Sequence, residues 1–146
     1  MRKAFLILVL GCLLIVPVCL NIKAYGQGTS LTQDEARIPI GTLTDYPAGT
    51  IKPFPKFKLI VFSDAQGLYA LSTQCTHMGC TVSFRHMRKI FTCSCHGSKF
   101  NQEGAVLRGP ATTNLSWFFI GIDEQGRLYV DKTRVVPAGT KYKFTP

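Results

Sequence analysis

Cys75-Thr76-His77-Met78-Gly79-Cys80 and Cys93-Ser94-Cys95-His96-Gly97-Ser98 decide how this chain is read. These twelve positions hold four of the six cysteines and two of the three histidines. Thiolate and imidazole together suit zinc, copper or an iron–sulfur cluster. Cys75 and His77 form one chelating pair, C-x-H, and Cys93 and His96 form another, C-x-x-H. That leaves Cys80 and Cys95, one in each run. A Cys2His2 zinc module uses the same ligand types, and so stays open on chemistry alone. Zinc sites favour two cysteines two to four residues apart and two histidines three to five apart. The chelating pairs here are C-x-H and C-x-x-H instead, and zinc would leave Cys80 and Cys95 without a role.

The paired runs resemble the Rieske [2Fe–2S] signature, and more closely the Rieske subunits of cytochrome bc and b6f complexes. The resemblance covers roughly residues 38–131. It implies that Cys75 and Cys93 bind one iron and that His77 and His96 bind the other. It implies that Cys80 and Cys95 form the disulfide bracing the two loops, and that the Ser98 hydroxyl donates to a cluster sulfur. It implies, too, that His96 accepts the hydrogen bond of a quinol, which makes it the residue closest to the chemistry. The fold it implies is all-β: a small antiparallel β-sandwich with two cluster-binding loops, preceded by one N-terminal transmembrane helix. Two departures stand out. Phe100 occupies the position where the family often has a tyrosine donating to a cysteine sulfur, which predicts a lower potential than in tyrosine-bearing relatives. Gly109-Pro110-Ala111 resembles the proline loop covering the cluster, but Thr112 and Thr113 follow where a second proline is usual.

Working outward, the residues between the runs, Thr81–Thr92, read as a hairpin with a basic tip at Arg85-His86-Met87-Arg88-Lys89. His86, the third histidine, is expected to be solvated. Phe57, Leu59 and Val61 alternate with Lys58, Ile60 and Phe62, so both faces are largely apolar and a central strand is expected. Leu115–Ile122 is a second apolar strand, expected to pair with Leu128-Tyr129-Val130. Asp64-Ala65-Gln66-Gly67, Asn101-Gln102-Glu103-Gly104 and Asp123-Glu124-Gln125-Gly126 share one turn chemistry, with Asx first and Gly fourth. Pro39, Pro53, Pro55 and Pro110 belong at edges or in loops. No stretch from 38 to 146 carries a helical period. Lys132 to Pro146 is basic, and its place in the fold is not legible.

With 146 residues, one globular domain is expected. Its organisation reads as an anchor or signal segment over 1–24, a linker over 25–37 and the cluster domain over 38–146. Ala4–Leu20 are free of charge, and as a helix would reach roughly 26 Å, marginal for a bilayer. Arg2 and Lys3 ahead of that run predict a cytoplasmic N-terminus and an extracytoplasmic domain on a single-pass membrane protein. Cleavage near Ala24-Tyr25-Gly26 and lipidation at Cys12 are the competing readings of the segment. Residues 25–37 are polar and rich in Gly, Ser, Thr and Gln, as a flexible tether is. In the resembled proteins this stretch is a hinge.

The chain is basic, with 17 Lys and Arg against 8 Asp and Glu. No basic helical stripe or aromatic strand motif points to nucleic acid. An anionic partner surface or lipid headgroups fit the charge better.

A cluster with two thiolates and two neutral imidazoles is neutral when oxidised, whereas four thiolates leave it dianionic. Reduction is then easier, and such sites lie at about −150 to +300 mV, against about −400 mV for plant-type ferredoxins. The free imidazole nitrogens can carry protons, which couples proton to electron transfer. The resemblance therefore implies an electron-transfer subunit that takes an electron from quinol and passes it to a c-type cytochrome, beside a cytochrome b-like membrane subunit. It implies no complete active site on this chain alone. A fixed relay in another exported oxidoreductase, arsenite-oxidase-like, is the competing role. A Rieske oxygenase is disfavoured because no second domain is present for a mononuclear iron.

Overall fold

In a computed structural model, residues 36–144 are described. The expected anchor over 1–24 and most of the expected linker lie outside them. Among the described residues no helix is long and apolar enough to cross a membrane.

Among the described residues, ten strands form two sheets, and every pairing is antiparallel. The larger sheet runs β1 (Arg37–Thr42), β10 (Arg127–Val136), β9 (Trp117–Ile122), β4 (Gly67–Ser72), β3 (Leu59–Asp64), β2 (Ile51–Phe54). The smaller runs β5 (Val82–Arg85), β6 (Ile90–Cys93), β7 (Lys99–Asn101), β8 (Val106–Arg108). Among the described residues from 37 on, the remaining regular structure is three 3-10 turns of three residues each, as the missing helical period from 38 to 146 predicts.

β3 shows why its sequence is apolar on both faces. Leu59 and Val61 point into one core, and Ile60 and Phe62 into another. β4 repeats this, with Leu68 and Ala70 on one side and Tyr69 and Leu71 on the other. The first core also takes Ile38 and Ile40 from one edge of the large sheet and is flanked by Phe54 from the other, so the sheet curls around it. The second core lies between the outer face of β3, β4 and β9 and the small sheet, where Phe91 and Phe100 are fully buried. Burying a side chain of that size is worth about 1.5–3 kcal/mol. Phe62, Tyr69 and Trp117, on three different strands, stack in a row with centroid spacings of 5.0 and 4.8 Å.

The expected strand begins two residues later than its apolar pattern suggests. Phe57 closes a 3-10 turn started by Pro55, and Lys58 follows with a left-handed φ of 51°. The three Asx–Gly stretches are turns as expected, with Gly104 N donating to Asn101 O and Gly126 N to Asp123 O, each at 3.0 Å. Pro39 and Pro53 sit on the two edge strands of the large sheet, where a missing N–H costs no ladder bond.

The basic tail has a definite place. β10 runs on to Val136 past a register shift against β9, and Asp131 Oδ1 accepts from both the amide and the hydroxyl of Thr133 beside that shift. Lys132 Nζ donates to Phe57 O, and Tyr142 makes a two-way backbone bridge with Leu68. Gly67 φ is 134°, and a Cβ there would collide with the Tyr142 carbonyl.

The small sheet is an insertion. The chain leaves the large sheet after β4 and returns at β9, and those two strands are neighbours. Ser72 N donates to Ser116 O at 2.9 Å across the neck. Everything that carries the cysteine–histidine pattern lies between these two points.

Candidate metal centre

Two loops of the insertion share one backbone plan. In the first, Cys75 N donates to Cys80 O at 2.7 Å and Gly79 N to Cys75 O at 2.8 Å. In the second, Cys93 N donates to Ser98 O at 2.9 Å and Gly97 N to Cys93 O at 3.0 Å. A cysteine thus opens each loop, a glycine four residues on turns it, and the fifth residue closes it. Gly79 and Gly97 have φ of 75° and 79°, a region that other L-residues enter at a cost. The glycine in each run is therefore part of the loop geometry, independent of any metal.

This plan sorts the side chains by depth. Cys75 and Cys93 are 2% and 3% exposed, carry free thiols and belong to the core shared with Phe91 and Phe100. His77 and His96 are exposed, and their rings meet edge to face with centroids 4.9 Å apart. Two thiols lie below and two imidazoles above, one of each from either loop. Cys80 and Cys95 are joined in a disulfide, the fifth position of the first loop to the second of the other. The Cys93 sulfur lies within 4.8 Å of both. That sulfur trio is no metal site, because two of its members are already bonded to each other.

A third segment closes the centre. Ser98 is fully buried, and its hydroxyl accepts from Ala111 N at 3.0 Å. Thr76 Oγ1 donates to Thr113 O at 2.6 Å. The segment after the cis Gly109–Pro110 bond is thus pinned to one loop by Ser98 and to the other by Thr76. Asn114 Oδ1 adds a bond from Val106 N at 3.0 Å. These bonds take the place of the constraint that a second proline would give. The threonines signalled nothing of this in the sequence, because Thr76 and Thr113 are 37 residues apart.

The donor set fits a binuclear cluster. A mononuclear zinc site would gather four ligand atoms around one point. In a [2Fe–2S] centre each iron takes two protein ligands, and bridging sulfides complete it. The two buried thiols and the two exposed, adjacent imidazoles offer four donors in two pairs. Ser98 keeps its own proton while accepting from Ala111, so its hydroxyl remains able to donate.

The Rieske [2Fe-2S] domain family matches residues 37–119, more than half of the chain. The chain belongs to that family. As a Rieske domain it carries a [2Fe–2S] cluster. Its relatives include the cytochrome b6-f complex iron-sulfur subunit of Prochlorococcus marinus, 34% identical over 108 residues, 68% of this chain and 60% of the relative. Another is the subunit of the same name in Chlorobaculum tepidum, 35% identical over 95 residues, 64% of this chain and 52% of the relative. The chain thus spans little more than half the length of these relatives. Among solved structures, it is similar to a cyanobacterial plasma membrane Rieske protein from Synechocystis PCC 6803. Their identity is 28%, with 64% of this chain and 97% of that one covered and a TM-score of 0.48.

Beside this Rieske centre the fold places Phe100, fully buried on β7 and paired across the ladder with Phe91. A phenyl ring offers no donor, so this position packs the core without bonding to sulfur. His86 lies on the hairpin tip, exposed, with its ring 5.2 Å from Phe84. It belongs to neither loop.

Proposed function

We propose that this chain is the electron-transfer subunit of a membrane quinol oxidoreductase of bc or b6f type. The observation that carries the reading is the depth order of the centre, with two buried thiols beneath two adjacent exposed imidazoles. In this reading Cys75, Cys93, His77 and His96 hold the cluster, which when bound supplies a one-electron carrier. The buried side holds the sulfur ligands away from water. The exposed side presents His96 to a quinol and His77 beside it. Ser98 donates to the cluster and favours its reduced form. Phe100 lowers the potential by withholding the hydrogen bond that a tyrosine would give, which suits a low-potential quinone such as menaquinone.

The same reading makes residues 1–24 a single membrane span, 25–37 a tether and 38–146 an extracytoplasmic head. Quinol would bind between the histidine edge and a cytochrome b-like partner, and the electron would pass on to a c-type cytochrome or an equivalent acceptor. The similarity to cytochrome b6-f iron-sulfur subunits supports this assignment.

Low-temperature EPR of the dithionite-reduced protein, with metal analysis of the same sample, tests it. A rhombic signal with average g of about 1.9, as this ligand class gives, together with about two irons per chain, supports the assignment. A silent spectrum with one zinc per chain removes it. Once the cluster is established, insensitivity of turnover to quinol-site inhibitors would move the chain to a relay role in another exported oxidoreductase.

A further inference from the structure

The insertion carries a second exposed feature at the end of its hairpin away from the histidines. β5 and β6 start at the Val82–Cys93 pair and end at the Arg85–Ile90 pair. The tip therefore lies about 10 Å along the strands beyond Cys93. It is a single 3-10 turn, His86–Arg88, closed by Lys89 at a φ of 51°. Met87 at its apex is 99% exposed, the most exposed large apolar side chain among the described residues. Arg85, Arg88 and Lys89 flank it, and none of them joins a salt bridge or a side-chain hydrogen bond among the described residues. Between Thr73 and Ser116 there are five cations and one carboxylate, Glu103, so no acidic group of the insertion neutralises the tip.

We propose that this tip is a docking element for anionic lipid headgroups, with Met87 entering the interface and Arg85, Arg88 and Lys89 pairing with phosphates. Two features select a lipid surface over an acidic protein. The apolar side chain stands fully exposed at the apex of a turn, which suits a soft interface that it can enter. A protein partner would need a matching pocket. The second feature is reach. Residues 21–36 separate the domain from the apolar run and extend no more than about 58 Å, so a bilayer anchoring that run stays within the domain's range. This argument rests on the anchor reading for proximity alone. Docking in this way would orient the domain while leaving His77 and His96 at the far end of the hairpin.

The test uses the full-length, cluster-bearing chain with Met87→Trp. The native Trp117 is the single tryptophan and is only 4% exposed, so the new indole dominates lipid quenching. Vesicles of phosphatidylcholine alone are compared with equal parts of phosphatidylcholine and phosphatidylglycerol, each carrying brominated acyl chains. The expected result is quenching of the new indole several-fold stronger in anionic vesicles, reversed by salt. The additional substitutions R85Q, R88Q and K89Q should weaken the anionic preference on the order of a hundredfold. Equal quenching in both vesicle types, with the chain floating on both, overturns the proposal. A blue shift with polyglutamate but none with phosphatidylglycerol also overturns it and makes the tip a protein-docking surface. Failure of the anchor reading appears separately, as a chain that does not float with neutral vesicles. Flotation on anionic vesicles, lost in the triple variant, then becomes the supporting result, and its absence the overturning one.

Discussion

Removing the Cys80–Cys95 bridge by Cys80→Ser together with Cys95→Ser should cost about 3 kcal/mol. The bridge spans 15 residues, and a closed loop of that length removes about 3 kcal/mol of entropy from the unfolded chain. Other forces on the loops remain, because the four backbone bonds that shape them do not involve sulfur side chains. The double variant should therefore fold, with its loops in place but its stability reduced. Trp117 is a suitable reporter, since it belongs to the same core as Cys75 and Cys93. In urea, a loss of about 3 kcal/mol corresponds to a midpoint lower by about 1–3 M at the slopes usual for small domains. Wild-type protein with its disulfide reduced should match the variant, and the variant itself should ignore reductant. A variant midpoint within a few tenths of a molar of wild type would refute the reasoning, because the loops would then owe nothing to the cross-link.

Four further outcomes can be checked. Phe100→Tyr should raise the midpoint potential by roughly 40–90 mV, the one-electron equivalent of one sulfur hydrogen bond; an unchanged or lowered potential in a redox titration counts against the proposed role of Phe100. Ser98→Ala should lower that potential and also leave the Ala111 amide without its acceptor, a cost of about 1–3 kcal/mol, so redox titration and urea denaturation should both move. Gly67→Ala should destabilise by about 1–3 kcal/mol, because its Cβ would displace Tyr142; proteolysis of the C-terminal tail should quicken, and an unchanged rate would contradict a role for the Tyr142–Leu68 bridge in holding the tail. Burial works to raise the Asp64 pKa, but the Lys141 ammonium and the Gln66 amide outweigh it and hold the carboxyl below its ordinary value. Its contribution is then complete above about pH 4 and is lost as the pH falls further. With Asp64 38% exposed, that amounts to no more than about 1 kcal/mol, and Asp64→Asn should flatten the acid limb of stability by that much and no more.

Much of this architecture is written locally. The cysteine–histidine runs, the Asx–Gly turns and the doubly apolar β3 each state their own conformation, and each is found where its residues put it. What escapes is set by partners far along the chain. Tyr142 reads as an ordinary tail residue until Leu68 is beside it. Thr112 and Thr113 read as a lost proline constraint until the Thr76 hydroxyl reaches the Thr113 carbonyl. The stacked row of Phe62, Tyr69 and Trp117 brings Trp117 of β9 onto the β3–β4 hairpin from far along the chain. Even the late start of β3 follows from Pro55, which commits the next residues to a tight turn although Phe57 fits the apolar alternation.

The neck between β4 and β9 gives residues 73–116 the layout of a replaceable cassette, since the chain enters and leaves it at adjacent, bonded strands. A designer could splice such a unit into any antiparallel pair without rerouting the host. The host, however, would not tolerate its removal here. Cutting the unit out would strip the cover from Ile60, Phe62, Tyr69, Leu71 and Trp117 and leave one face of the large sheet sticky in water. The scaffold and its redox unit are in that sense mutually obligate, and misassembly of the loops should be visible to the cell as an aggregating protein as well as a colourless one.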